Sequence, residues 1–138
     1  MEKILEFVLN HWELALLLGG LITALVVTES RRGGVGVSST QLTTLINRED
    51  AVVLDVRDAK DFRLGHITGA VNIPFASIET RLGELSHHKD KPIVIVCKMG
   101  QHSSTVGKTL RGDGFGDVRR LTGGIGSWLA DGLPLVKK

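Results

Sequence analysis

The sequence has one cysteine, no tyrosine, three prolines and only 4% aromatic residues. A single cysteine excludes an internal disulfide framework and any zinc or iron–sulfur centre built on several thiolates. So few aromatics leave no stacking platform for single-stranded nucleic acid. A large excess of one charge is missing too. The 17 basic and 15 acidic residues give a net charge of +2, unlike a strongly basic nucleic-acid binder. The low hydrophobicity of a disordered chain is also absent. Hydrophobic residues make up 42% of 138 positions, and the mean hydropathy is +0.12. That length holds one domain of ordinary size plus an appendage.

The hydrophobic excess is concentrated near the amino end. Leu14 to Thr28 reads LALLLGGLITALVVT, fifteen residues without a charge. Extending the run back to Ile4 brings in Glu6, Asn10, His11 and Glu13. A membrane-spanning helix takes about 20 mostly apolar residues, so the uncharged core alone is short and residues 4 to 28 together suffice. Trp12 suits the headgroup level. A cleaved signal peptide is a second reading, although the start is acidic and no A-x-A site follows. A buried core helix is a third, opposed by Leu14–Leu18 being apolar on every face. The expectation is one transmembrane helix within residues 1–30, in contact with the lipid bilayer. Arg31 and Arg32 follow it directly, so the positive-inside bias places the carboxyl-terminal side in the cytoplasm. Ala15, Gly19, Gly20 and Ala24 have the spacing that permits close contact with a second helix, from a membrane protein partner or a homodimer. Residues 31–37, RRGGVGV, read as a glycine-rich linker. They lack the lysine–hydroxyl pair of a phosphate-binding loop.

From Ser38 to Lys138 the pattern becomes short strands alternating with short helices. Ser38-Ser39-Thr40-Gln41 has capping-box spacing, and Leu42, Leu45 and Ile46 recur at helical intervals. Ala51–Leu54 and Pro92–Val96 read as buried strands, the second the stronger. Residues 77–85 and 103–111 suit helices, Val118–Leu121 a strand, and Trp128 a final short helix. This is an α/β domain with a mostly parallel sheet, large enough to bury one core. It carries sixteen basic against eleven acidic side chains from residue 31 onward, which favours anionic substrates or an acidic membrane surface.

Cys97 follows directly on the stronger strand. Lys98, Met99, Gly100, Gln101 and His102 come next, and Ser103 opens the following helix. Ligands of open α/β sheets bind beyond the carboxyl ends of strands, and helix amino termini favour anions. A thiol placed there has its reactive thiolate stabilised. Lys98 and a protonated His102 add positive potential. Gly100 lets the backbone bend and turn N–H groups inward. Ser103 and Ser104 are placed to cap the helix or donate hydrogen bonds. The competing reading of Cys97 is a small hydrophobe closing a core strand.

Three ordered motifs resemble the rhodanese family. They are Asp55-Val56-Arg57 with Gly65-His66-Ile67-Thr68-Gly69-Ala70-Val71-Asn72-Ile73-Pro74, then Val94 to Ser103 around Cys97, then Leu121-Thr122-Gly123-Gly124 with Trp128, Gly132 and Pro134. The resemblance covers residues 38 to 136 and implies a rhodanese-like three-layer fold. With the leader, the chain is similar to membrane-anchored single-domain rhodaneses of bacteria, which implies a single-pass inner-membrane protein.

The resemblance implies sulfurtransferase chemistry. The Cys97 thiolate takes the outer sulfur of thiosulfate or another sulfane-sulfur donor and becomes a persulfide. Cyanide, a small thiol or a protein acceptor then removes it in a ping-pong cycle. No metal or organic cofactor is implied. The loop from Lys98 to Ser103 cradles the persulfide, and Lys98 holds the donor's charge. Related phosphatases carry Cys-x5-Arg, but Ser103 occupies that arginine position, so the loop Cys97 to His102 has the sulfur-transfer length. Many members carry arginine where this chain has His102, and a histidine is charged only in part at neutral pH. A second function follows from the anchor and from His102: a membrane-localised docking module with weak or no catalysis. Asp55 and Arg57 are expected to pair as a loop tether, and His66 to bond backbone in a turn. His87-His88 is a solvated loop pair without a third ligand.

Overall fold

Ser38 starts the domain's first long helix in the expected way. Its Oγ accepts from the Gln41 N–H at 3.2 Å, while Gln41 Oε1 accepts from the Ser38 N–H at 2.8 Å. The computed structural model describes the backbone of residues 1–32 and 34–137 and the side chains of 1–28 and 34–137. It divides into two units, Met1–Arg31 and Arg32–Lys138.

The first unit is not the single helix expected. It contains α1 (Glu2–Asn10) and all but the last residue of α2 (Trp12–Arg32), separated at His11. Glu2–Asn10 and Trp12–Thr28 meet at 93°. The break falls on the polar pair Asn10-His11, with His11 outside helical backbone space at φ −129° and ψ 45°. Among the described residues, no single helix is long and apolar enough to cross a membrane, whereas the bent pair meets that requirement together by length and composition. Within α2 the Thr23 and Thr28 hydroxyls donate to the carbonyls of Gly19 and Ala24 at 2.8 and 2.7 Å. Both hydroxyls are thus satisfied within the helix.

The second unit contains β1 (Val35–Val37), α3 (Ser39–Glu49), β2 (Val52–Asp55), α4 (Ala59–Leu64) and β3 (Val71–Asn72). Next come α5 (Ile78–Arg81), flanked by 3-10 turns at Phe75–Ser77 and Leu82–His88, then β4 (Ile93–Val96), α6 (Ser103–Gly112), β5 (Val118–Leu121) and α7 (Gly124–Ala130). The five strands run parallel in the order β1-β5-β4-β2-β3. The linker expected over 31–37 is corrected here. Val35–Val37 pairs with Arg119–Leu121 of β5, and Gly33 lies outside the described residues. Gly34 is there for close approach: a Cβ on it would collide with the Val118 carbonyl.

Successive residues of β4 point to opposite faces of the sheet. Ile93, Ile95 and Cys97 join one core with Val106, Leu110 and Ile78, under α5 and α6. Val94 and Val96 join the other with Leu42, Leu45, Ile125 and Trp128, under α3 and α7. Helices therefore cover both faces in three layers, and β4 is buried throughout. From β2 the chain moves outward to β3; from β4 it moves the other way to β5. The loops after β2 and β4 diverge, leaving the crevice where α/β sheets bind ligands.

Candidate active site

Cys97 continues the Ile93–Ile95 side of β4 by one further alternation, which turns its side chain toward α6. The residue is 2% exposed, yet it forms part of the wall of a cavity of about 270 Å³. Its Sγ lies 3.4 Å from Ser103 Oγ. Ser103 does not cap α6. The N-cap is His102, without a side-chain cap, and the buried serine faces the thiol instead. Gly100 has φ +88°, the left-handed bend that the loop requires. Among the described residues, the backbone N–H groups from Lys98 to Ser103 have no main-chain acceptor. Free amides of this kind suit an anionic sulfur.

Lys98, Gln101, His102 and Arg57 line the same cavity as Cys97, so the loop and the first motif are brought together. The His102 ring stacks on Phe75 with centroids 4.2 Å apart. Met99 does not face this space. It is 60% exposed and lines a neighbouring apolar groove. Gly100 and Ser103 border a third cavity of about 170 Å³ behind the loop, with Arg120.

Asp55 and Arg57 form a buried, two-pronged pair. Arg57 Nε and Nη2 donate to the Asp55 carboxylate at 3.0 and 2.8 Å, and Nη2 also donates to the Gly65 carbonyl at 2.7 Å. Asn72 Nδ2 donates to the carbonyls of Asp55 and Arg57, both at 3.0 Å. The pair thus ties the loop after β2 to the turn after α4. His66 is 5% exposed; its Nδ1 donates to the Phe62 carbonyl at 2.8 Å, and its ring stacks on Phe62. Its main chain exchanges hydrogen bonds with Val136. His66 fastens the chain's end and does not face the cavity.

Several residues escaped the sequence reading. Asp58 and Asp61 line the Cys97 cavity. Asp58 is the N-cap residue of α4 and Asp61 lies in its first turn, but this six-residue helix was too short to stand out. The Gly123-Gly124 pair is more than a turn. The N–H groups of Ile125 and Gly126 donate to the carbonyls of Cys97 and Lys98 at 2.9 and 3.2 Å. The amino end of α7 therefore holds the cysteine loop by its backbone. Among the described residues, no group of three or more His, Cys, Asp or Glu is placed to hold a metal ion.

A thiol at the carboxyl end of the central parallel strand, under a loop of free amides, defines the class of protein. The chain belongs to the rhodanese family: the rhodanese-like domain model matches residues 38–131. It is 38% identical to the Escherichia coli K12 protein YibN over 99% of both chains. It is 35% identical to the thiosulfate sulfurtransferase GlpE of Pseudoalteromonas translucida, over 68% of this chain and 88% of that protein. Among solved structures it is similar to the polysulfide-sulfur transferase homodimer of Wolinella succinogenes, with TM-score 0.67 and 26% identity over 87% of this chain and 90% of that one.

Proposed function

We propose that the protein is a membrane-tethered sulfurtransferase that carries sulfane sulfur on Cys97. The observation that supports this most directly is the Cys97 thiol beside Ser103 at the base of a loop whose amides have no main-chain acceptor among the described residues. In the first half-reaction the Cys97 thiolate attacks the outer sulfur of thiosulfate. The S–S bond of the donor breaks, sulfite leaves with its electron pair, and a Cys97 persulfide anion forms. In the second half-reaction an acceptor thiolate or cyanide attacks the terminal sulfur. The persulfide bond breaks and the Cys97 thiolate returns. Nothing else is oxidised or reduced. The loop amides hold the terminal sulfur, and Lys98 and His102 face the donor's charge. A polysulfide or persulfide donor uses the same geometry with a different leaving thiolate.

The expected result is a mass gain of one sulfur, about 32 Da, on Cys97 after treatment with thiosulfate. Turnover to cyanide should follow, and both should be lost in Cys97→Ser. If Cys97→Ser keeps wild-type turnover, the assignment is wrong. Absence of loading, with unchanged binding partners in Cys97→Ser, favours the docking module.

The leader is read as the anchor. Leu14, Leu16, Leu17, Leu18, Leu21, Ile22 and Leu25 are all exposed, a larger apolar surface than a monomer in water normally shows. Arg31 and Arg32 favour a cytoplasmic domain at the bacterial inner membrane. Retention of the full chain in the membrane pellet at alkaline pH tests the anchor. Its release to the supernatant would refute it.

A further inference from the structure

Beside the Cys97 cavity lies a second groove of about 280 Å³, and the two share Arg57, Asp61 and Lys98 as a common wall. Beyond that wall the second groove is apolar, formed by Leu64, Met99, Ile125, Leu129 and Leu135. Leu64 is 64% exposed, Met99 60% and Leu129 52%. None of the half-reactions above uses this surface. Thiosulfate, sulfite and cyanide have no apolar part to place there.

We propose that the groove seats an apolar side chain next to the acceptor cysteine of a protein substrate. The inference rests on the sulfur-transfer reading and names its acceptor class. Continuity carries it first. A peptide whose thiol enters the Cys97 cavity has its neighbouring residue at the shared wall, facing the groove. Size carries it next. At about 280 Å³ the groove lies just under the range of roughly 300–1,000 Å³ that encloses whole small molecules. It suits one aliphatic anchor in a larger, open contact. Charge is consistent with this. The shared wall carries Asp61 and Lys98, of opposite sign, together with Arg57, which is paired with Asp55. A neutral peptide segment crosses such a wall without net repulsion. The step itself is the second half-reaction: the peptide thiolate takes the terminal sulfur and Cys97 leaves as thiolate.

The test uses the full chain in detergent, loaded with thiosulfate. Single-turnover transfer is measured to two peptides that differ only in leucine or serine beside the cysteine. The leucine peptide should be faster by about tenfold, the effect of partly burying one such side chain. In Leu64→Gln and Leu129→Gln that ratio should fall to about one. Each variant is compared with itself on two peptides, so a general loss of activity cancels. Equal rates for the two peptides in the wild type, or an unchanged ratio in both variants, overturns the proposal. Failure to load sulfur counts against the preceding reading instead and appears before any peptide is added. The groove is then tested alone, with the leucine peptide carrying serine for cysteine. Chemical-shift changes confined to Leu64, Met99 and Leu129 support it, and their absence overturns it.

Discussion

The carbonyl oxygen of Cys97 accepts a hydrogen bond from the N–H of Ile125 at 2.9 Å. The Cys97 loop is therefore fixed from behind by a helix that begins 27 residues later. The close approach depends on Gly124, which sits at φ +61° and whose missing Cβ would overlap the Cys97 carbonyl. Gly124→Ala should lower stability by at least about 2 kcal/mol, because left-handed strain and a backbone collision add. It should also abolish sulfur loading. Gly69→Ala is the control: its φ is +79° with nothing within 4 Å of the added carbon. It should cost only the strain, about 1–2 kcal/mol. Urea midpoints for the two variants distinguish these contributions.

Arg57 is held by both the Asp55 carboxylate and the Gly65 carbonyl, with side-chain exposures of 8% for Arg57 and 1% for Asp55. Asp55→Asn leaves a buried guanidinium uncompensated and should cost about 3–5 kcal/mol. Arg57→Lys keeps the charge but cannot make the fork and the Gly65 bond together, so a loss of about 1–3 kcal/mol is expected. Equilibrium unfolding in urea checks both. A cost below about 0.5 kcal/mol for either change would place it among neutral surface substitutions.

His102 stacks on Phe75 at 4.2 Å and borders the Cys97 cavity. His102→Arg preserves the stacking and makes the charge permanent. The KM for thiosulfate should fall by about two- to fivefold, the range of an exposed charge pair, and the gain should fade with added salt. The loading rate at saturating thiosulfate should change less. A rise in KM would show that His102 does not face the donor.

At the other end of the sheet, the Lys91 ammonium hydrogen-bonds the Asp50 carboxylate at 2.8 Å and holds its pKa below the usual value. The carboxylate also raises the pKa of Lys91. A depressed carboxyl pKa adds stability above the unfolded value, and this is lost as pH falls through the folded one. The raised lysine pKa adds stability that disappears only in strong alkali. Asp50→Asn should therefore lower Tm slightly at neutral pH and match the wild type in acid. Thermal melts across pH 2 to 8 check the sign.

Much of the fold was legible because its signals are local. Ser38 and Gln41 are three residues apart and form the box their spacing implies. Val118–Leu121 is a strand with the expected limits. The position of Cys97, between the end of β4 and the start of α6, was legible because one strand end and one helix start suffice to place it. What was missed depends on contacts distant in sequence. The Gly65 carbonyl meets Arg57 only after α4 turns the chain back. The link between α7 and the Cys97 loop joins segments that no periodicity connects. The leader was read by composition, which registers hydrophobicity but not the turn at His11. The glycine-rich run before Val35 read as flexibility, whereas Gly34 lets one strand lie close to another.

That last difference makes the domain's amino boundary testable. A fragment starting at Gly34 retains β1, while one starting at Ser38 loses it. Val37 is buried at 3% exposure, and its carbonyl accepts from the Thr122 N–H at 2.9 Å. Removing β1 also strips the partner from β5, whose unpaired edge then faces solvent. The shorter fragment should be less stable by about 2–4 kcal/mol, from one buried valine and the lost backbone pairing. It should also self-associate through β5. Urea unfolding and sedimentation of fragments 34–138 and 38–138 supply the comparison. Equal stability and monomeric behaviour of both would return residues 35–37 to the status of a linker.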